Sequence, residues 1–122
     1  MNENNFEIIE VYQGSKLLLK LTDVKTAWDF TSGNNEKTGV VAFETSIGID
    51  FVKVDAPYGM LGIQTERAYA TNMYPGFEKA LQSLMFIKIN GMELPCDLIH
   101  YKNNESGEEK DIYYEISSFY GK

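Results

Sequence analysis

His100, Cys96 and Arg67 are the sole histidine, cysteine and arginine of this 122-residue chain, and they bound the chemistry open to it. Cys96 and His100 are near enough in sequence to suggest a metal pair or an activated thiol. On a strand, residues four apart share a face but stand about 13 Å apart, at about 3.3 Å per residue. That is too far for two bonds of about 2 Å to one ion, and too far for the hydrogen bond a Cys–His nucleophile needs. The pair reads as a core thiol and a strand-end imidazole, so no metal ligand and no catalytic residue is assigned.

Paired acids meet the same objection. Glu44 and Asp50 share a face of one long strand pattern but lie about 20 Å apart if it is straight, and a dyad would have to come from tertiary contacts. The acidic segment 103–111 lacks the alternating Asp/Asn register and closing glutamate of a calcium loop, and reads as a solvated turn. No Gly-x-x-x-x-Gly-Lys-Ser/Thr or Gly-x-Gly-x-x-Gly motif is present, and Gly59-Met60-Leu61-Gly62 reads as a turn. The expectation is a non-enzymatic protein without a cofactor.

Eighteen acidic against eleven basic residues give a net charge of −7 and a pI near 4.6. Such a field repels nucleic acid and favours a protein partner with a basic surface; a lone arginine leaves few bidentate forks for phosphate. Residues 1–5 carry acid and amide where a secretory signal would be basic and then apolar, and the expectation is a cytoplasmic protein. No run approaches the ~18 apolar residues of a membrane span, and one cysteine cannot form an internal disulfide. Asn104-Glu105-Ser106 matches a glycosylation sequon, and without a secretion signal it reads as chance.

The elements that must position these side chains follow from hydrophobic period and turn residues. The length suits one domain, residues 1–122. Segments 6–12 and 16–22 around Gln13-Gly14-Ser15 predict a hairpin, with Leu17, Leu19 and Leu21 on one face. Residues 25–35 hold Trp28, read as a lid on the core, before a loop-like cluster at 31–35. Val41, Phe43, Ile47, Ile49 and Phe51 alternate with polar residues over 40–54, as one long strand or two with a kink at Gly48. After a turn at 55–59, residues 61–69 read as a strand, although 65–70 also suits a helix. Pro75 at a first helical position, with Phe77, Ala80, Leu81, Leu84 and Met85 at helical spacing, predicts an amphipathic helix over 75–85 packed on the sheet. Asn90-Gly91 marks a type I′ hairpin. Strands at 86–89, 92–101 and 112–120 then make a three-stranded meander. The class is α+β, mainly antiparallel, with six or seven strands and one helix.

Strand parity with Leu94, Cys96 and Leu98 inward, and Ile112, Tyr114 and Ile116 inward, turns Asp97, Ile99, Tyr101, Tyr113, Glu115 and Phe119 outward. This face, with Glu93 beside it, reads as an apolar, tyrosine-anchored centre with an acidic rim, suited to a protein partner. The alternative is that it forms the inside of a second sheet. The first function expected is an acidic binding module that occludes a basic partner: a stoichiometric inhibitor, an immunity protein or a toxin antidote, encoded by a phage or mobile element. The second is a self-assembling subunit of a phage tail or contractile tube, hence a homo-oligomer. In element order alone, a helix ahead of a C-terminal meander resembles tail-tube architecture.

Overall fold

The computed structural model describes residues 7–31 and 35–122. The expected strand start at residue 6, the N-terminal 1–5 and residues 32–34 of the 31–35 cluster lie outside the described residues. In chain order the elements are β1 (Ile9–Gln13), β2 (Lys16–Thr31), β3 (Lys37–Thr45), β4 (Asp50–Asp55), α1 (Gly59–Met73), β5 (Phe77–Ile89), β6 (Met92–Asn103) and β7 (Glu109–Glu115). The strands close into a barrel in the order β1-β2-β3-β4-β7-β6-β5. Every pairing is antiparallel except β4 with β7. Seven mostly antiparallel strands with one packed helix are the α+β class the sequence implies.

Turn chemistry sets the hairpins. Gly14 and Gly48 take positive φ, and Asn90 and Gly91 adopt φ of 51° and 79°, the left-handed pair that a type I′ turn demands. The 40–54 run is thus two strands, broken at Gly48. Leu19 and Leu21 are buried but Leu17 is exposed, because a register shift between Val11 and Tyr12 turns it away.

The helix lies elsewhere than expected. Residues 59–73 form α1, and the predicted helix over 75–85 is the first part of β5. Pro75-Gly76 stops α1 from behind rather than starting a helix, a position proline also favours. Two adjacent columns, Leu61, Thr65, Tyr69 and Gly62, Glu66, Ala70, form the buried face of α1. Leu81 and Leu84 consequently face solvent, Leu81 at 70% exposure. Leu81→Ala is therefore not the costly core truncation that a buried helical stripe would imply.

The sheet separates the core into two clusters. On the barrel face beneath α1, Val40, Ala42, Val52, Val54, Ile99, Tyr101, Ile112 and Tyr114 pack with Leu61, Tyr69 and Ala70, with Trp28 against them. The opposite faces of these strands join Val11, Leu19, Leu21, Phe51, Ile87 and Cys96 in a second cluster. On β3 and β4 the even-numbered Val40, Ala42, Val52 and Val54 are buried beneath α1, whereas of the odd-numbered stripe only Phe51 is fully buried and Lys53 and Asp55 on its face are exposed, so the odd-numbered stripe does not mark the inside. Beyond β7, Phe119 lies against Gly62 so closely that a Cβ there would overlap its ring. The Gly59 N–H donates to the Lys122 carbonyl at 3.0 Å.

Candidate functional site

The expected outer patch is not a surface. Asp97, Ile99, Tyr101, Glu115 and Phe119 are buried, and Tyr113 is half-buried. Cross-strand register explains the error. Asp97 pairs with Tyr114 and Ile99 with Ile112, while Cys96 pairs with Glu115 and Leu98 with Tyr113. Directly opposed residues share a face, so Asp97, Ile99 and Tyr101 join Ile112 and Tyr114 beneath α1. Tyr113 and Glu115 go with Cys96 on the other side. Phe119 is past the end of β7, in the turn that laps α1. The structure therefore divides the six residues among three places.

Cys96 is fully buried, and burial first, then the Asp97 and Glu115 charges, raises its thiol above the ordinary value. Both ring nitrogens of His100 meet carboxylates at 2.6 Å, Nδ1 with Asp111 and Nε2 with Glu109. Those hydrogen bonds, Asp111 first, raise the imidazole above its usual value. Among the described residues, no three His, Cys, Asp or Glu side chains converge as a metal ion would require, and no helix is long and apolar enough to cross a membrane.

Two features stand out that sequence reasoning missed. The first is a pair of strand edges. β1 pairs with β2 only over residues 16–21 of β2, and with β5 only at Val11–Ile89 and Tyr12–Lys88. Among the described residues, 23–31 of β2 therefore pair with β3 alone, and 77–87 of β5 with β6 alone. Because β1 runs antiparallel to both, β2 and β5 run in the same direction, with their free edges at opposite ends of β1. Residues 78–84 of β5 are exposed throughout, Leu81 and Leu84 included. Its edge is blunted by the charges of Glu78 and Lys79 and by a register shift between Lys79 and Leu81.

The second feature is a buried carboxyl pair between α1 and β6. Glu66, 3% exposed, lies beside Asp97, 8% exposed. Burial, then the hydrogen bond and charge of Asp97, push the Glu66 carboxyl up to about 9 from its ordinary 4.5, while Lys79 opposes them. No donor of the protein reaches Glu66 Oε2; the pair can hydrogen-bond only through a proton of its own. Glu66 lines a cavity of about 240 Å³ between α1 and the free part of β5, walled by Ile63, Ala70, Phe77, Ile99 and Tyr101 with Arg67 and Lys79 at its exposed edge. Below, the Tyr101 and Tyr114 hydroxyls bond at 2.8 Å, and Tyr114 donates to the Glu66 carbonyl at 3.2 Å. Reading 59–73 as a helix would have placed Glu66 in the apolar stripe between Gly62 and Ala70, and that acid was the available signal.

The fold defines a closed, mainly antiparallel barrel with one helix laid across its outer face. Comparison of the chain with models of known families, with curated proteins and with solved structures finds no match.

Proposed function

We propose that the protein is a structural subunit that assembles head to tail with copies of itself, the free edge of β5 in one copy lying along the free edge of β2 in the next. The observation that carries this reading is the pair of strand edges left open, among the described residues, on one chain. They are of similar length and run in the same direction, yet they sit at opposite ends of β1, so neither can satisfy the other within a molecule. Exposed Leu81 and Leu84 on β5, and Val24 on β2, supply apolar surface at those edges. A contact between two different surfaces repeats, giving a ring where the rotation closes and a filament where it does not.

The second reading is an acidic inhibitor of a basic partner. The charge of −7 favours it. With the tyrosine patch buried, its docking element becomes the same β5 edge, to which a partner adds a strand. Salt separates the two. Copies of like charge repel, so self-assembly strengthens as salt screens them, whereas acidic-on-basic binding weakens. Light scattering and sedimentation across protein concentration and ionic strength should give rings or filaments that grow with both. Leu81→Lys with Leu84→Lys should hold the protein as a folded monomer with an unchanged thermal midpoint. A parent that stays monomeric at millimolar concentration and high salt would sink the assembly reading.

A further inference from the structure

We infer, resting on that head-to-tail assembly, that the two edges meet in parallel and in one register, with Lys79 of one copy on Asp23 of the next and Leu81 on Val24. Directly opposed residues share a face, so the pairing of each edge strand with its inner neighbour sorts its side chains. On β5, Lys79, Gln82, Leu84 and Phe86 oppose Tyr101, Ile99, Asp97 and Pro95 and lie on the α1 side. On β2, Asp23, Thr26, Trp28 and Phe30 oppose Glu44, Ala42, Val40 and Thr38 and lie on the same side. Both rows are spaced by three, two and two residues. Each strand carries one extra residue early in its free stretch, at the register shift between Lys79 and Leu81 on β5 and between Val24 and Thr26 on β2.

Matching the rows brings the two irregularities together and sets an exposed cation, Lys79, on an exposed acid, Asp23. Leu84 then meets Trp28 and Phe86 meets Phe30, two exposed apolar side chains on two half-buried rings. On the opposite face Leu81, 70% exposed, meets Val24, 46% exposed. The matched stretches, 79–87 and 23–31, are equal in length, and each stops where β1 begins to pair, at Lys88 and at Leu21. The strands run parallel, the direction β2 and β5 already share, with both helices on one side of the joined sheet. A slip of one position along the face separates the irregularities and parts Lys79 from Asp23. It also sets Leu81 against Ala27, or Ser83 against Val24.

The test uses charge reversal and disulfide trapping on the whole chain, with light scattering to follow assembly. Lys79→Asp and Asp23→Lys should each raise the concentration needed for assembly by about threefold to tenfold. An equimolar mixture of the two should restore it to within about twofold of the parent, because every junction of an alternating array then carries opposite charges. Oxidation of a mixture of Leu81→Cys and Val24→Cys proteins should give disulfide-linked dimers, since residues paired on neighbouring strands lie within disulfide reach. Mixtures set for a slipped register, Leu81→Cys with Ala27→Cys or Ser83→Cys with Val24→Cys, should not link, and Cys96 is too deeply buried to interfere. Charge variants that assemble like the parent, a mixture no better than either alone, or links in a slipped pair and none in the matched one would each overturn the register while assembly itself stands. A parent that never assembles would overturn both.

Discussion

Two carboxyl sites are buried in the layer beneath α1, and they are supplied in opposite ways. Asp50, on β4, accepts the Tyr69 hydroxyl at 2.9 Å and the Tyr74 hydroxyl at 2.5 Å, with Lys25 Nζ at 3.9 Å. Burial, together with the Asp50 hydrogen bonds and charge, raises both phenols above their ordinary value, so they stay protonated donors. Glu66 has a second acid beside it, and no donor of the protein reaches its Oε2. A buried carboxylate with all its donors pins one packing arrangement, here the helix and its C-terminal turn against β4. A carboxyl that must keep its proton to be tolerated instead ties stability to pH.

The sharpest way to break this contrast is to remove Asp50. Asp50→Ala leaves the buried Tyr69 hydroxyl and the half-buried Tyr74 hydroxyl without an acceptor and should destabilise by about 3 kcal/mol, read by urea denaturation. A loss under about 1 kcal/mol would mean that the tyrosine cluster does not hold α1. Next in size is the pH profile of the parent against Glu66→Gln. The folded chain keeps the Glu66 proton up to about 9, whereas the unfolded chain releases it near 4.5. Stability should therefore be greatest below 4.5 as far as this group is concerned, and should fall as pH rises from there towards 9, at up to about 1.4 kcal/mol per pH unit. Glu66→Gln should flatten that decline and be the more stable protein at pH 8.5; parallel profiles would remove the acid pair from the account.

The smallest effect belongs to His100. Its imidazole is raised above 6.5, so its contribution is full below 6.5 and disappears as pH climbs through the folded value. His100→Asn should lower the thermal midpoint slightly at pH 6 and leave it unchanged at pH 9. A shift of equal size at both pH values would assign the ring a packing role instead.

The hairpins were legible because turn geometry is local: Asn90-Gly91 and Gly14 announce themselves through the positive φ they adopt. The buried thiol of Cys96 was legible from its apolar neighbours. Leu81, Leu84 and Met85 sit at helical spacing and nevertheless form a strand, since pairing along the length of β6 overrides local period. Pro75 is compatible with a helix on either side, and only the tertiary burial of 61–70 decides between them. The six-residue patch failed on register, because sliding one strand by a single residue exchanges its faces, and nothing local fixes how β6 meets β7. The Glu66–Asp97 pair joins a helix to a strand across thirty residues of sequence, and neither acid signals the other.

The contact of Gly62 with Phe119 reaches into the question of ancestry. Any side chain at 62 would collide with the ring, and a smaller residue at 119 would leave a hole over the first turns of α1, so the two positions can drift only as a pair. In relatives too remote to share other residues, a glycine in the second turn of the helix and an aromatic just after the last strand form a two-letter fingerprint. Their covariation would survive long after overall identity had faded.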